Sequence, residues 1–310
     1  MKPFYIKASF RILFSVLIVS NSFSAKACDL CGCLSTGGQM GVLPQFSRSF
    51  LSFRYHQLRF SHLNIPETQT NAGRVETDVW NQMDIWGRWV FNEKTQLMVN
   101  VPYVWKERIE TNRQQMLSGI GDIQFTINQQ LLKRIWENGW QGQWNAGLSI
   151  QLPTGKYRQR DYRKVVFPLG MQAGSGAYAF PMFTQFGIRH NKWGLLSELM
   201  ATYFTENEDG YRMGFYKQAS ATAIYYHSST KTLVTPLIGF RFENNGLDKS
   251  PESVENPHSG SSRMVLQTGG DVYWGNWSSG LRVQLPVRAS YSGYQPRWDY
   301  ALSIHVLRFF

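Results

Sequence analysis

The chain has 310 residues, a formal charge of +11 at neutral pH, 15% aromatic residues and a mean hydropathy of −0.33. So polar a chain does not read as a bundle of membrane helices. Its positive charge is spread without a nucleic-acid motif, which argues against a nucleic-acid partner and leaves lipid phosphates or acidic ligands.

The chain opens on Lys2, Lys7 and Arg11, followed by an apolar stretch at 12–19 interrupted by Ser15. That stretch is too short to span a bilayer and reads as the core of a secretory signal. Ala25-Lys26-Ala27 fits the small-x-small cleavage pattern, so residues 1–27 are predicted to be a signal peptide. Cys28 follows at once and raises a lipoprotein reading. However, Ala25 and Lys26 stand where a lipobox wants an aliphatic and a small residue. The signal holds four basic and no acidic groups, so the mature chain carries +7.

Residues 28–47 are predicted to be a periplasmic segment. Its start, Cys28-Asp29-Leu30-Cys31-Gly32-Cys33, contains all three cysteines of the chain. Thiolates are soft ligands suited to copper or zinc. Cys28, Cys31 and Cys33, with the thioether of Met40, are therefore a candidate metal site. The alternative is a disulfide between two of them, since the periplasm is oxidising. A c-type haem is excluded because Gly32 stands where a His is needed.

From residue 48 onward the chain alternates apolar and polar residues at period 2, the strand period. Val79, Met83, Ile85, Trp89 and Phe91 share one face; Glu76, Asp78, Gln82, Asp84 and Arg88 share the other, with Trp80 and Trp86 among them. Leu97, Val99, Val101, Tyr103 and Trp105 repeat the pattern against Gln96, Asn100, Lys106 and Arg108. Further segments around 123–130 and 143–151 do the same. The predicted strands are 48–62, 75–91, 95–109, 118–132, 140–152, 177–190, 193–205, 214–227, 231–243, 263–274, 277–289 and 296–310. Many are far longer than the usual soluble strand of about 5–6 residues. Short turns at 92–94, 191–192, 228–230 and 275–276 alternate with longer loops at 63–74, 110–117, 153–176, 206–213 and 244–262. This is the plan of an all-β transmembrane antiparallel barrel of about 12 strands over residues 48–310, with apolar residues on lipid and polar residues in the lumen. At the end, Tyr300, Leu302, Ile304 and Val306 alternate toward Phe310, with Arg308 the one break on that face. Such a last strand is predicted to engage the barrel assembly machinery through Phe310.

Three loop motifs occur in order: Gly119-Ile120-Gly121-Asp122, Leu152-Pro153-Thr154-Gly155-Lys156-Tyr157 and Gln172-Ala173-Gly174-Ser175-Gly176-Ala177-Tyr178. In that order and spacing, over about residues 75–310, the chain resembles the outer-membrane transporter family named after the meta-cleavage pathway of phenol degradation. The resemblance implies a barrel in the Gram-negative outer membrane and the uptake or export of small, often hydrophobic compounds. Pro153 and the glycines read physically as rim turns and as positions tolerating positive φ. The cysteine start resembles a subgroup of such barrels from Bacteroidetes-type bacteria.

Glu76, Asp78, Asp84, Arg88, Lys106, Arg108, Asp122, Arg241, Glu243, Asp271, Arg282 and Arg288 are predicted to line the lumen. They read either as a selectivity lining or as a salt-bridged plug. Lys156, Arg158, Arg160, Arg163 and Lys164 form a basic loop that could grip lipopolysaccharide phosphates or stand solvated. His56, His62 and His305 show no paired metal spacing and read as structural. No Gly-x-Ser-x-Gly elbow is present, and no enzymatic activity is expected. The expected function is a transporter or channel for a small solute. The alternatives are a copper- or zinc-linked barrel using the cysteines, and a non-conducting or enzymatic barrel. Expected partners are outer-membrane lipids and lipopolysaccharide.

Overall fold

The computed structural model describes residues 48–63, 75–110, 113–160, 169–251, 254–292 and 295–310. The predicted signal peptide, the cysteine segment with Met40, and Arg163 and Lys164 lie outside them, as do the side chains of His62 and Glu76.

The strands are β1 (Phe50–Leu63), β2 (Val75–Val90), β3 (Thr95–Glu110), β4 (Arg113–Ile120), β5 (Gln124–Ile135), β6 (Trp140–Gln151), β7 (Ala179–His190), β8 (Trp193–Phe204), β9 (Tyr216–Tyr225), β10 (His227–Ser228), β11 (Thr232–Asn245), β12 (Ser261–Trp274), β13 (Trp277–Tyr291) and β14 (Arg297–Phe309). All pairings are antiparallel, and β14 returns to β1, from Phe50↔Phe309 to Ser61↔Arg297. The sheet therefore closes on itself. A closed ladder leaves no unpaired edge, the condition for placing strands in hydrocarbon. Two barrel positions are each made of two segments, β4 with β5 and β9 with β10, so the barrel has twelve strands.

The first of these breaks has a local cause. β3 pairs with β5 through Thr95–Asn100 and with β4 through Tyr103–Glu110. Between them stands Pro102, which has no N–H to donate. Its carbonyl still accepts from Gly121 N at 2.9 Å. The segment 110–117, predicted as a loop, is instead mostly strand. β3 and β4 run on together as a hairpin to Glu110↔Arg113, and the polar Gln114-Gln115 pair that suggests a loop sits on that extension. A further short turn occupies 136–139, with Gly139 at φ 82°.

Side chains alternate as a membrane barrel requires. Phe53, Ile85, Ile127, Leu148, Leu199 and Ile238 are exposed on the outer face, while Ser52, Asp84, Thr126, Asn145, Glu198 and Thr235 on the same strands are buried inside. Exposed Trp89, Phe91, Trp136, Trp140, Trp193 and Trp277 gather at the short-turn end. Tyr103, Tyr178, Tyr203 and Phe215 gather toward the other. Two aromatic bands are the mark of the two interfaces.

Toward the short-turn end the interior carries an apolar cluster that includes Phe50, Trp86, Met98, Tyr273, Leu307 and Phe309. Phe50 meets Trp86 edge-on at 4.9 Å. The first and last described residues of the barrel are tied there: Phe310 N donates to Ser49 O at 2.9 Å, and Arg48 NH2 to Asn276 Oδ1 at 2.8 Å.

Candidate functional site

Above the apolar cluster the interior is polar, and its charges meet across neighbouring strands. Arg54 on β1 donates to Asp84 on β2 at 2.7 Å, and Gln82 Nε2 donates to the other carboxylate oxygen at 2.7 Å. Arg108 on β3 grips Asp78 on β2 through two bonds of 2.8 and 2.9 Å. Arg282 on β13 reaches Asp271 on β12 at 2.6 Å, with His305 Nε2 3.4 Å from the second oxygen. Glu198 accepts from Gln218 at 2.8 Å and also from Gln185. Arg88 lies 4.7 Å over the Phe50 ring and donates to Arg48 O at 3.0 and 2.6 Å. Arg288 differs from the rest of its predicted set. It is exposed near the end of β13, past the register shift opposite Met264 and Val265. Arg54, Glu198 and Arg263 join the interior charges, although none of them is among the predicted lumen residues.

At the other end, the three loop motifs converge on Asp122. Its Oδ1 accepts from Gly155 N at 2.9 Å. Its Oδ2 accepts from Ser175 N at 2.8 Å, Ser175 Oγ at 2.7 Å and Gln151 Nε2 at 3.2 Å. Thr154 Oγ1 donates to Gly121 O at 3.2 Å and accepts from Ile123 N at 2.9 Å. Here the glycines matter chiefly for close approach. A Cβ on Gly155 would stand 2.6 Å from Gly174 Cα, and one on Gly174 would stand 2.6 Å from the Gly155 carbonyl. Gly176, at φ 68°, is the one of the motif glycines that uses positive φ.

This crossing turns the described parts of 152–178 against inward-facing side chains. Met171 is 1% exposed, and Ala173 packs with Val104 and Leu117. Lys106, 4.4 Å over the Trp80 ring, donates to Gly170 O and Gln172 O, both at 2.8 Å. Lys106 and Asp122, both predicted as lumen charges, thus hold a loop. Gly174→Val is expected to break the crossing at a cost of about 1–3 kcal/mol, as overpacking does. Limited proteolysis checks it: cleavage within 152–178 should accelerate while the barrel core stays resistant.

The loop is also clasped from outside. Tyr157 donates to Asp209 Oδ2 at 2.5 Å and accepts from Asn207 Nδ2 at 2.7 Å. Arg158, at φ 57°, pairs with Asp209 and with Glu208 at 3.2 Å. Part of the predicted basic loop is therefore matched by acids of the next loop. Burial and the neighbouring Asp209 carboxylate push the Tyr157 phenol up to about 12. Arg158 and Tyr157 together hold Asp209 below the ordinary carboxylate range. A phenol raised on folding favours the clasp below its ordinary value near 10, and this contribution is lost as pH rises through about 12. Loop-specific hydrogen exchange measured from pH 9 to 12 should show the clasp weakening over that window in wild type, with no such step in Tyr157→Phe.

The interior also holds a cavity of about 330 Å³ whose lining includes Gln151, a donor to Asp122. Its charged lining comes from Arg241, Glu243 and Arg263, with His56, Gln124, Gln151, Thr202 and Gln284 polar beside them and Trp298 close by. Glu243 pairs with both arginines, its Oε1 lying 2.7 Å from Arg241 Nε and its Oε2 2.9 Å from Arg263 NH2. Arg241 NH2 donates to Gln284 at 3.0 Å. No group of three or more His, Cys, Asp or Glu that could hold a metal occurs among the described residues.

A family model described as "Putative MetA-pathway of phenol degradation" matches residues 61–301. An outer-membrane channel from Pseudomonas putida F1 superposes with a TM-score of 0.64 at 13% identity, covering 85% of this chain and 96% of that one. The β-domain of the Bordetella autotransporter BrkA gives 0.49 at 10% identity, over 85% and 100%. At 13% identity the likeness to the Pseudomonas channel is one of fold. No curated protein matches the chain.

Proposed function

Because the chain belongs to the phenol-degradation-pathway family and is an outer-membrane β-barrel of the Gram-negative type, we propose that it is a narrow channel for small solutes. The observation that carries this reading is the cavity of about 330 Å³ inside the barrel, together with a loop held at the mouth by Asp122. A wide aqueous pore does not suit this interior, because side chains from facing strands meet across it. The volume stands at the lower end of small-molecule sites, which begin at about 300 Å³. The short-turn end is assigned to the periplasm and the folded-in loop to the outside. Lipids surround the apolar face, and Phe310, 64% exposed, is available to the assembly machinery. Asp78, Asp84 and Asp271 each lie against an arginine, which suits a structural lining better than acid–base catalysis.

Liposome swelling tests the proposal. Vesicles carrying the folded barrel should admit glycerol and arabinose and exclude stachyose. Vesicles as tight as protein-free controls to all three would remove the channel reading. Equal admission of all three would show a wide pore instead.

A further inference from the structure

We infer that the lumen cavity is a binding site for small organic acids, taking the carboxylate at Arg263 and Arg241 and the apolar body against the apolar part of the lining. The inference rests on the channel reading above and names its substrate class. Three observations lead to it.

The first is charge. Arg241 and Arg263 face the single carboxylate of Glu243, so with His56 neutral the charged lining carries a formal +1. Most other interior charges are balanced one to one. Asp84 has Arg54, Asp78 has Arg108 and Asp271 has Arg282. Arg88 lies outside the cavity, on the Phe50 ring and the Arg48 carbonyl, so the positive excess of the cavity lining itself falls where there is also space.

The second is donor geometry. Arg263 uses NH2 toward Glu243, while its buried Nε has no hydrogen-bond partner among the described residues. A guanidinium presents its N–H groups as a planar fork that matches a carboxylate two bonds at a time. A buried donor without a partner is costly, and an incoming carboxylate would satisfy it.

The third is the rest of the wall. Leu58, Pro181, Met200, Phe204 and Tyr216 line the cavity with Trp298, whose ring lies 5.2 Å from the Arg263 guanidinium and 5.9 Å from that of Arg241. An inorganic anion would leave this apolar surface uncovered. An uncharged hydrocarbon would leave the arginine excess unmatched. An acid with one charged end and a compact apolar body satisfies both. At about 30 Å³ per water in the liquid, the cavity holds the volume of about eleven waters, enough for a one-ring acid.

The test is calorimetric titration of the detergent-folded full chain with benzoate, benzamide and acetate. Benzoate should bind saturably and about tenfold more tightly than either benzamide, which lacks the charge, or acetate, which lacks the ring. Arg263→Gln should bring benzoate down to the benzamide level. Glu243→Gln, which leaves both arginines without their carboxylate, should tighten benzoate. The heat-modified gel shift of a folded barrel verifies each variant. Equal binding of benzoate and benzamide, or benzoate binding unchanged in folded Arg263→Gln, would overturn the inference. So would acetate binding as well as benzoate. Swelling by arabinose is measured on the same preparation. Swelling without benzoate binding overturns this inference alone, and benzoate binding without swelling overturns the channel reading on which it rests.

Discussion

Asp122→Ala is expected to raise the open fraction of the channel about a hundredfold in single-channel recordings. The carboxylate accepts four hydrogen bonds from three residues on two stretches of chain, Gln151 and Gly155 on one and Ser175 on the other. Bonds to a charged acceptor contribute about 1.5–3 kcal/mol each. Water at the mouth can satisfy part of what is lost, so a net loss near 3 kcal/mol is reasonable, and each 1.4 kcal/mol is a factor of ten. Other ties hold the loop as well, Lys106 on Gly170 O and Gln172 O from one side and the Tyr157 and Arg158 clasp on Asp209 from the other. The loop should therefore open more often without being lost. Asp122→Asn keeps an acceptor without the charge and should fall between. Recordings of Asp122→Ala that match wild type would show that the loop does not restrict the pathway.

Asp271→Ala is expected to cost about 3–5 kcal/mol of stability, because it leaves a buried guanidinium without its carboxylate. Asp271 is 0% and Arg282 2% exposed, at 2.6 Å. The space around the pair is closely shaped. A Cβ on Gly280 would stand 2.0 Å from Asp271 Oδ1 and 2.4 Å from His305 Cε1. Water cannot readily enter so tight a pocket to replace the lost partner. Urea unfolding in lipid vesicles measures the loss. A change below about 1 kcal/mol would place this pair with exposed ion pairs, whose usual value is about 0–1 kcal/mol.

Much of the barrel is legible in the sequence because lipid imposes a strict period. Along most strands the outer-face residues are apolar and their neighbours polar, so Ile85 and Asp84, or Leu148 and Ser149, declare their sides by residue type alone. The same rule lapses where the chain leaves the membrane. Arg113-Gln114-Gln115 is polar at successive positions, as a loop would be, yet it is strand because β3 extends alongside it. The interior charges that alternation does not reveal have a similar origin. Arg54 shares the parity of Ser52 and His56, which is the signal that would assign it to the inside. Glu198 sits between Leu196 and Met200, inward-facing apolar residues that make its face look lipid-exposed.

The loop motifs are visible as glycine-rich patterns, but their meeting point is not. Asp122 is 33 residues from Gly155 and 53 from Ser175. The only local hint is the close approach that the glycines permit, which sequence alone does not distinguish from a turn. The cavity is likewise assembled from side chains of strands distant in sequence, from His56 to Trp298. Alternation assigns most of them to the inside; Trp298 shares the parity of the outward Ile304 and Val306 and turns inward only through the bulge opposite Arg59 and Phe60. Where the interior fills and where it leaves space depends on side-chain sizes across the barrel.

The central claim is that solutes pass through this interior, and cysteine accessibility on one strand tests it most directly. Thr202 lines the cavity and is 5% exposed, whereas Leu199 on the same strand is 56% exposed on the lipid face. In a background with Cys28, Cys31 and Cys33 changed to Ser, each site is converted to Cys in turn and treated with a water-soluble, membrane-impermeant thiol reagent. Thr202→Cys should be labelled and arabinose flux should fall, while Leu199→Cys should resist labelling and leave flux unchanged. Labelling at Leu199→Cys alone, or full labelling at Thr202→Cys with no change in flux, would contradict the account.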